Sequence, residues 1–210
     1  MAEYRADNRN RRRRSRGHGC LGFGLTLVGI IAVFIVLVFT TNWFTGPRNK
    51  LLGIFYPTKF TAEVEQSAKE FGVDKNLIYA VIKTESGFRE EVESHAGAVG
   101  LMQLMPDTFD WLQQNLEGEV KYTVDDLRDP AVNIRYGTYL LKFLIDHYDG
   151  NISTALAAYN GGIANVDNWL EDRSLSPDGK TLSDIPYSET KRYVEKVSHS
   201  YEMYQKIYGG

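Results

Sequence analysis

An uncharged apolar stretch of twenty residues, from Leu21 to Thr40, limits what this chain of 210 residues can fold into. At about 1.5 Å per residue, a helix of this length spans roughly 30 Å, the thickness of the hydrocarbon core of a bilayer. The apolar region of a cleaved signal peptide is usually shorter, about 7–15 residues, and the residues after Thr40 make a poor cleavage site. Trp43 suits the membrane interface. We therefore predict one transmembrane helix over residues 21–43 that is not removed.

Basic residues are concentrated before this stretch. Residues 1–20 contain the unbroken run Arg11 to Arg14 and are too polar to bury a core, so they are predicted to form a disordered basic arm. Because basic flanks favour the cytoplasmic side of a membrane helix, the arm is expected in the cytoplasm. Residues 44–57 would then be a tether, and residues 58–210 an extracytoplasmic domain of a single-pass protein of the cell membrane. Binding of the arm to anionic lipid or nucleic acid stays open as an alternative.

The chain after the first 50 residues is acidic. Those 50 residues hold nine of the 24 basic side chains and two of the 27 acidic ones. The rest of the chain therefore holds 15 basic and 25 acidic side chains, a net charge of about −10. Nucleic acid is therefore not expected as a partner of this part, because phosphate binding needs a basic face. The lone Cys20 and four scattered histidines predict neither an intramolecular disulfide nor a metal site.

Residues 58–210 have apolar residues at helical spacing and no sustained alternation of period two, which predicts a nearly all-α domain. Asp74, Asn151 and the pair Asp129-Pro130 are typical of helix starts, and Gly72 and Gly87 are typical of helix ends. The apolar spacing around residues 77–82 indicates that this helix packs one face into a core. Helices are expected over about 60–71, 74–87, 106–115, 131–148 and 151–161, around 169, and over about 187–207.

Glu85 lies at the end of the second predicted helix and is followed by a glycine-rich loop. The carbonyl end of a helix disfavours a negative charge, and partial burial would act in the same direction. Both effects predict a raised pKa that suits a general acid near neutral pH. Gly97 and Gly100 allow a close backbone approach, while Met102 and Gln103 offer an apolar contact and an amide. Taken alone, Glu85 is better explained as a solvated carboxylate, and the loop is what favours a binding groove.

Two further motifs lie at predicted helix ends. Tyr159-Asn160 precedes two glycines and fits a polar cap beside a ligand, although Tyr159 is equally typical of a core aromatic residue. Glu189 falls in the first turn of the last helix, where a structural role is the simpler explanation. Tyr193 follows one turn later.

Three of these motifs occur in a fixed order: Glu85-Ser86, Gly100-Leu101-Met102-Gln103 and Ala158-Tyr159-Asn160. Asn133-Ile134, and Glu189-Thr190 with Tyr193-Val194, accompany them. With this set the chain resembles the catalytic domain of the soluble lytic transglycosylases over about residues 58–209, and no motif position departs from the pattern. The resemblance implies an all-α, lysozyme-like fold, here preceded by the transmembrane helix.

The resemblance also implies a substrate and a reaction. The substrate would be the glycan strand of peptidoglycan, cut at the β-1,4 bond between N-acetylmuramic acid and N-acetylglucosamine, with 1,6-anhydro ends as products and no cofactor. Glu85 would serve first as acid and then as base. The other site residues fall into three implied groups: Ser86 and Tyr159 position Glu85 or the sugar's acetamido group, Met102, Gln103 and Asn160 line the subsites, and Gly97, Gly100, Glu189 and Tyr193 are structural near the site.

Two other functions fit the same sequence. A hydrolytic muramidase like the goose-type lysozymes would need a second carboxylate to activate water, and Glu90, Glu91 and Glu93 are candidates for it. A non-catalytic module that binds the cell wall within a larger envelope assembly would have little reason to carry Glu85 together with the tyrosine and glutamine.

Overall fold

The computed structural model describes residues 52–209, together with Val33. The predicted basic arm 1–20, the predicted transmembrane helix 21–43 apart from Val33, and residues 44–51 of the predicted tether lie outside the described residues. Among the described residues, no helix combines the length and apolar character that a membrane crossing requires. The chain divides into the units Met1–Arg48 and Asn49–Gly210, and all the helices named below belong to the second.

The described part of this unit is helical, as predicted. Its elements are α1 (Thr61–Phe71), α2 (Lys75–Glu85), α3 (Pro106–Glu117), a 3-10 helix (Val124–Arg128), α4 (Pro130–His147), α5 (Ile152–Gly161), α6 (Ile163–Glu171) and α7 (Ser188–Tyr208). Residues 52–55 form a further helical turn. Within residues 52–209 the β-type pairing consists of two isolated bridges in the loop after α2, Glu93 with Val99 and Val99 with Leu104.

Short polar side chains start the helices where the sequence predicts. The Asp74 carboxylate accepts a hydrogen bond from Asn76 N at 2.8 Å, and Asp129 accepts one from Ala131 N at 2.8 Å. These contacts pair backbone N–H groups that have no partner inside the helix. The prediction missed the 3-10 helix, which begins at a reciprocal cap between Thr123 and Asp126.

Helix α2 is more deeply enclosed than its apolar spacing predicts. Seven consecutive residues of α2, 76 to 82, are buried, whereas the periodicity indicated one buried face. The reason is that α1 and α7 both pack against α2, and the loop that follows α2 adds the buried side chains of Phe88 and Val99 to the same core. A helix enclosed in this way carries Glu85 on a rigid support.

Helices α2 and α7 run antiparallel. The Tyr201 hydroxyl, in the C-terminal half of α7, donates to the Asp74 carboxylate at the start of α2 at 2.8 Å. At the other end of α2, Glu85 interacts with Tyr193 of the N-terminal half of α7. Helix α5 packs on α7 as well. Three elements far apart in sequence therefore meet at the C-terminal end of α2.

Candidate active site

Glu85 ends α2 and is partly buried. Burial raises the pKa of its carboxyl to about 7, and the Tyr193 hydroxyl opposes this rise. Burial acts this way because a charged carboxylate loses more hydration than a neutral one. The raised pKa agrees with the sequence-based expectation, and no other carboxylate among the described residues is a cause of it.

Two parallel tyrosines flank Glu85. The rings of Tyr159 and Tyr193 are inclined by 4° with centroids 6.5 Å apart. Burial, and after it the neighbouring Glu85 charge, raises the pKa of each phenol, so both hydroxyls stay protonated donors. The Tyr159 hydroxyl donates to Met102 O at 2.8 Å. The Tyr193 hydroxyl is buried and has no hydrogen-bond partner of good geometry in the described part of the chain, which leaves it free to donate to Glu85.

Asn133 of α4 holds the loop beside Glu85 in place. This fully buried side chain accepts a hydrogen bond from Met102 N at 2.7 Å. Its amide group donates to Val99 O and Leu127 O, both at 2.9 Å. A Cβ atom at Gly100 would lie 2.1 Å from the Asn133 amide nitrogen and 2.3 Å from Leu127 O. Glycine is therefore required at position 100 by close packing as well as by its φ of +82°.

The Gln103 side chain also stabilises this loop. Its side-chain amide donates to Gly100 O at 2.9 Å and to Val92 O at 3.1 Å. Its φ of 51° is in the left-handed region, which residues other than glycine adopt infrequently. Gly97 also has a positive φ, 88°, but a Cβ atom there would meet nothing within 4 Å. The amide group of Gln103 is thus already engaged by the backbone of the loop, and its predicted contact with substrate stays a prediction.

Two predicted substrate contacts are buried. Ser86 is 1% exposed, and its hydroxyl donates to Ile82 O at 3.1 Å while accepting from Phe88 N at 3.2 Å, so it closes α2. Met102 is 0% exposed. Its side chain packs so closely on Gly137 that a Cβ there would lie 2.5 Å from the sulfur. Both residues adjoin the site, and their predicted contacts with substrate stay predictions.

Asn160 and Glu189 lie together in an open cavity of about 560 Å³ between the end of α5 and the start of α7. Asn160 is exposed. Glu189 occupies the first turn of α7, where its charge complements the helix dipole, as the sequence predicts. The side chain of Thr190 packs on Gly161, so that a Cβ at residue 161 would lie 3.1 Å from its hydroxyl oxygen. This contact joins α5 to α7 beside the cavity.

The sequence reasoning missed two residues that shape the site. Asn133 was noted only as part of a motif, yet its two hydrogen bonds to the loop and its third to Leu127 O of the 3-10 helix fix the path of the loop. Met105 was not singled out, yet it is 41% exposed where the loop enters α3. The signal for Asn133 was an amide among the apolar residues of a helix, since a buried amide needs partners.

Replacing Asn133 with aspartate is expected to lower the free energy of unfolding by about 2–4 kcal/mol at neutral pH. The carboxylate keeps the acceptor for Met102 N but presents an oxygen to the carbonyls of Val99 and Leu127. Urea unfolding monitored by circular dichroism measures the change. Asn165→Asp is the matched control, because Asn165 is partly exposed and its amide bonds a single carbonyl, Gly161 O. Equal losses in both variants would contradict the clamping role of Asn133.

Comparison with known proteins places the chain in one family. The model of the transglycosylase SLT domain family matches residues 63–180, more than half of the chain. The chain belongs to this family. The all-α fold of residues 52–209 is that of the lytic transglycosylases, as the similarity to solved structures shows.

Three similar proteins illustrate the relationship. The soluble lytic murein transglycosylase of Escherichia coli (strain K12) is 32% identical over 145 residues, which cover 69% of this chain and 22% of the relative. The membrane-bound lytic murein transglycosylase C of Cronobacter sakazakii is 31% identical over 170 residues, which cover 70% of this chain and 47% of the relative. The structure of an inactive mutant of the lytic transglycosylase Slt from Pseudomonas aeruginosa superposes with a TM-score of 0.65 at 32% identity, covering 74% of this chain and 25% of that one. The chain thus spans between about a fifth and a half of the length of these proteins.

Proposed function

We propose that this chain is a membrane-anchored lytic transglycosylase of peptidoglycan. It would cleave the β-1,4 bond between N-acetylmuramic acid and N-acetylglucosamine and leave a 1,6-anhydro end. The observation that carries the proposal is Glu85, a partly buried carboxyl with a pKa of about 7, flanked by two tyrosines in a domain of the transglycosylase SLT family. A carboxyl with this pKa is present in both protonation states near neutral pH, as a group that works first as acid and then as base requires.

The reaction needs two proton transfers through one carboxyl group. Protonated Glu85 gives its proton to the glycosidic oxygen as the bond from that oxygen to C1 breaks, and the sugar's acetamido group supports the positive charge that develops at C1. The resulting carboxylate then removes the proton of the C6 hydroxyl, and the C6 oxygen bonds to C1. Water is not consumed, and Glu85 ends the cycle protonated.

The two tyrosines would act on different steps. The unpartnered Tyr193 hydroxyl is available to donate to the Glu85 carboxylate, which stabilises the charged form between the two proton transfers. Tyr159, bound to Met102 O, keeps the loop close to the carboxyl. The loop carrying Gly97, Gly100, Gln103 and the exposed Met105 would form one wall of the glycan groove, and Asn160 and Glu189 the other. Ser86 and Met102 would support this arrangement from within the core.

The positions of nearby carboxylates favour this reaction over hydrolysis. Glu93 pairs with Arg128 at 2.8 Å, and Glu91 lies 3.8 Å from the same guanidinium. None of the three candidates Glu90, Glu91 and Glu93 contributes to the pKa of Glu85, whereas a hydrolytic pair of carboxyl groups acts across a single scissile bond. The products of the reaction decide between the two mechanisms.

We further propose the domain organisation that the sequence predicts. Residues 1–20 would be a cytoplasmic arm, residues 21–43 the membrane anchor and residues 44–57 a tether. Residues 58–210 would be the catalytic domain outside the cytoplasm, facing the glycan strands of the wall. The support comes from the length of the apolar stretch and its basic flank, and from one similar protein, the membrane-bound lytic murein transglycosylase C of Cronobacter sakazakii.

Digestion of purified peptidoglycan by the full chain in detergent is expected to release muropeptides with 1,6-anhydro ends. Each is lighter by one water than the hydrolysis product, so mass spectrometry separates the two. Reducing ends would establish a muramidase instead, and the absence of any released glycan would favour a non-catalytic wall-binding module. Glu93→Gln is the matched control, since removing an ion-paired carboxylate should leave the anhydro products and their yield unchanged.

A further inference from the structure

Two large apolar side chains are exposed where the described chain begins. Ile54 and Phe55 lie in the helical turn of residues 52–55 and are 71% and 65% exposed, more than any other large apolar side chain in residues 52–209. Single exposed apolar residues are ordinary, but two adjacent ones in one turn form a patch that water solvates poorly.

This turn is attached firmly to the end of α7. The Tyr208 hydroxyl donates to Tyr56 O at 2.7 Å, and the Tyr204 hydroxyl donates to Pro57 O at 2.8 Å. The rings of Tyr56 and Tyr204 also pack edge to face with centroids 5.5 Å apart. Ile54 and Phe55 therefore project from a fixed end of the domain, formed by residues 52–57 and the last turns of α7. We call this end the tyrosine pole.

The tyrosine pole follows closely on the predicted membrane anchor. Only residues 44–51 separate the anchor from the turn, and eight residues span at most about 30 Å when fully extended. If an anchor holds the chain to the bilayer, the turn of residues 52–55 is at a high effective concentration near the membrane surface. Even a small apolar patch then binds to the bilayer. This step rests on the proposed anchoring of residues 21–43.

We propose that the tyrosine pole docks on the bilayer surface, with Ile54 and Phe55 inserted among the lipid headgroups. Aromatic and aliphatic side chains at the end of an amphipathic element partition into this zone, where the backbone keeps contact with water. Tyr208 and Tyr56 are partly exposed beside the turn, and tyrosine rings favour the same interfacial depth. The bilayer is thus the occupant of this apolar surface.

Docking at this pole fixes the height of the active site. Tyr193, beside Glu85, lies fifteen residues before Tyr208 in the continuous helix α7, a rise of about 22 Å. The pole also extends along α7 towards the active site, because the Tyr56 hydroxyl lies 3.4 Å from His199 Nε2 and the Lys83 ammonium, two residues before Glu85, lies 4.8 Å from the centre of the Tyr56 ring. The docked domain would therefore hold its catalytic carboxyl no more than about 20 Å above the headgroups, within reach of the glycan nearest to the membrane.

Fluorescent labels on the full chain test the docking. In a Cys20→Ser background, an environment-sensitive dye is attached to Ile54→Cys or Phe55→Cys, and the protein is reconstituted in phosphatidylethanolamine–phosphatidylglycerol vesicles with headgroup spin labels. The matched control is Tyr187→Cys, because Tyr187 is also aromatic and 50% exposed but precedes α7 at its other end. We expect several-fold stronger quenching and a blue-shifted emission at positions 54 and 55 relative to position 187.

A second variant links the quenching to the apolar patch. With the dye at Lys59→Cys, exposed just after the turn, the double change Ile54→Ser and Phe55→Ser should reduce the quenching to the level at position 187. Equal quenching at positions 55 and 187 would overturn the docking, as would unchanged quenching at position 59 in the double variant. Resistance to alkaline carbonate extraction reports separately whether the anchor spans the bilayer. A chain that is extracted but quenched at position 55 would keep the docking and refute the anchor.

Discussion

Replacing Glu85 with glutamine is expected to abolish glycan cleavage and, at the same time, to make the folded domain more stable at pH 8. Removing the general acid and base lowers turnover by at least about 10³-fold, because both proton transfers lose their carrier. The amide keeps the size of the carboxyl but has no charge to bury. Loss of anhydro products, measured by mass spectrometry, and a higher midpoint of urea unfolding at pH 8 are the two readouts.

The stability effect has a defined dependence on pH. The pKa of Glu85 in the folded protein is about 7, raised from an ordinary value of 4.5, so folding favours the protonated carboxyl. The contribution of Glu85 to stability is therefore fully present below pH 4.5, and about 2–3 kcal/mol of it is lost as the pH rises through 7, after allowance for partial exposure. The advantage of the glutamine variant should be large at pH 8 and nearly absent at pH 4.5.

The carboxylate Glu91 supplies the control for this experiment. It is exposed and its ion pair with Arg128 is long, 3.8 Å, so Glu91→Gln should change neither turnover nor the pH dependence of unfolding. A Glu85→Gln variant with wild-type turnover would remove the basis of the proposed function. A variant that unfolds more easily than the parent at pH 8 would show that the carboxylate is stabilised in the folded protein.

Replacing Gly100 with alanine is expected to lower the free energy of unfolding by about 3 kcal/mol or more and to abolish cleavage. The added methyl group would overlap the Asn133 side chain and the Leu127 carbonyl, and both contacted groups are held by hydrogen bonds that fix the loop. Relief requires the loop to move, which breaks the bond between Met102 N and Asn133 and displaces Met102 O, the acceptor of the Tyr159 hydroxyl beside Glu85. Thermal unfolding and the anhydro-product assay measure the two losses.

A variant at Gly97, in the same loop, distinguishes the cost of the steric overlap from the cost of backbone strain. Its φ of +88° is close to that of Gly100, +82°, but a Cβ atom there would have no neighbour within 4 Å. Gly97→Ala should therefore cost only the strain of a left-handed alanine, about 1 kcal/mol. If the two alanine variants lose the same stability, the overlap with Asn133 and Leu127 does not contribute to the loss in Gly100→Ala, and the proposed role of Asn133 in holding the loop is contradicted.

The helices were predictable because their signals are local. Asp74, Asp129 and Asn151 each bond to an N–H two or three residues away, and these short-range contacts are encoded by residue type and position alone. The 3-10 helix was missed because its cap, Thr123 with Asp126, precedes only five residues and leaves no apolar periodicity to detect.

The site was predictable in part. Glu85 and the raised pKa followed from its place at a helix end beside a glycine-rich loop. The burial of Met102 could not be predicted in this way. The direction of the loop is set by the left-handed backbone of Gln103 and by the side-chain amide of Asn133, which lies 31 residues after Met102 in the chain. Sequence spacing places Met102 and Met105 in one loop but gives no way to tell which is buried, and the structure buries Met102 and exposes Met105.

The packing of α7 against α2 has a consequence for the order in which the site forms. Glu85 precedes Tyr193 by more than 100 residues in the chain, yet the two side chains lie together in the folded domain, where burial raises the pKa of Glu85. Under the proposed function, a chain truncated before α7 is expected not to cleave glycan, because the end of α2 would stay hydrated and Glu85 would lack its neighbour Tyr193.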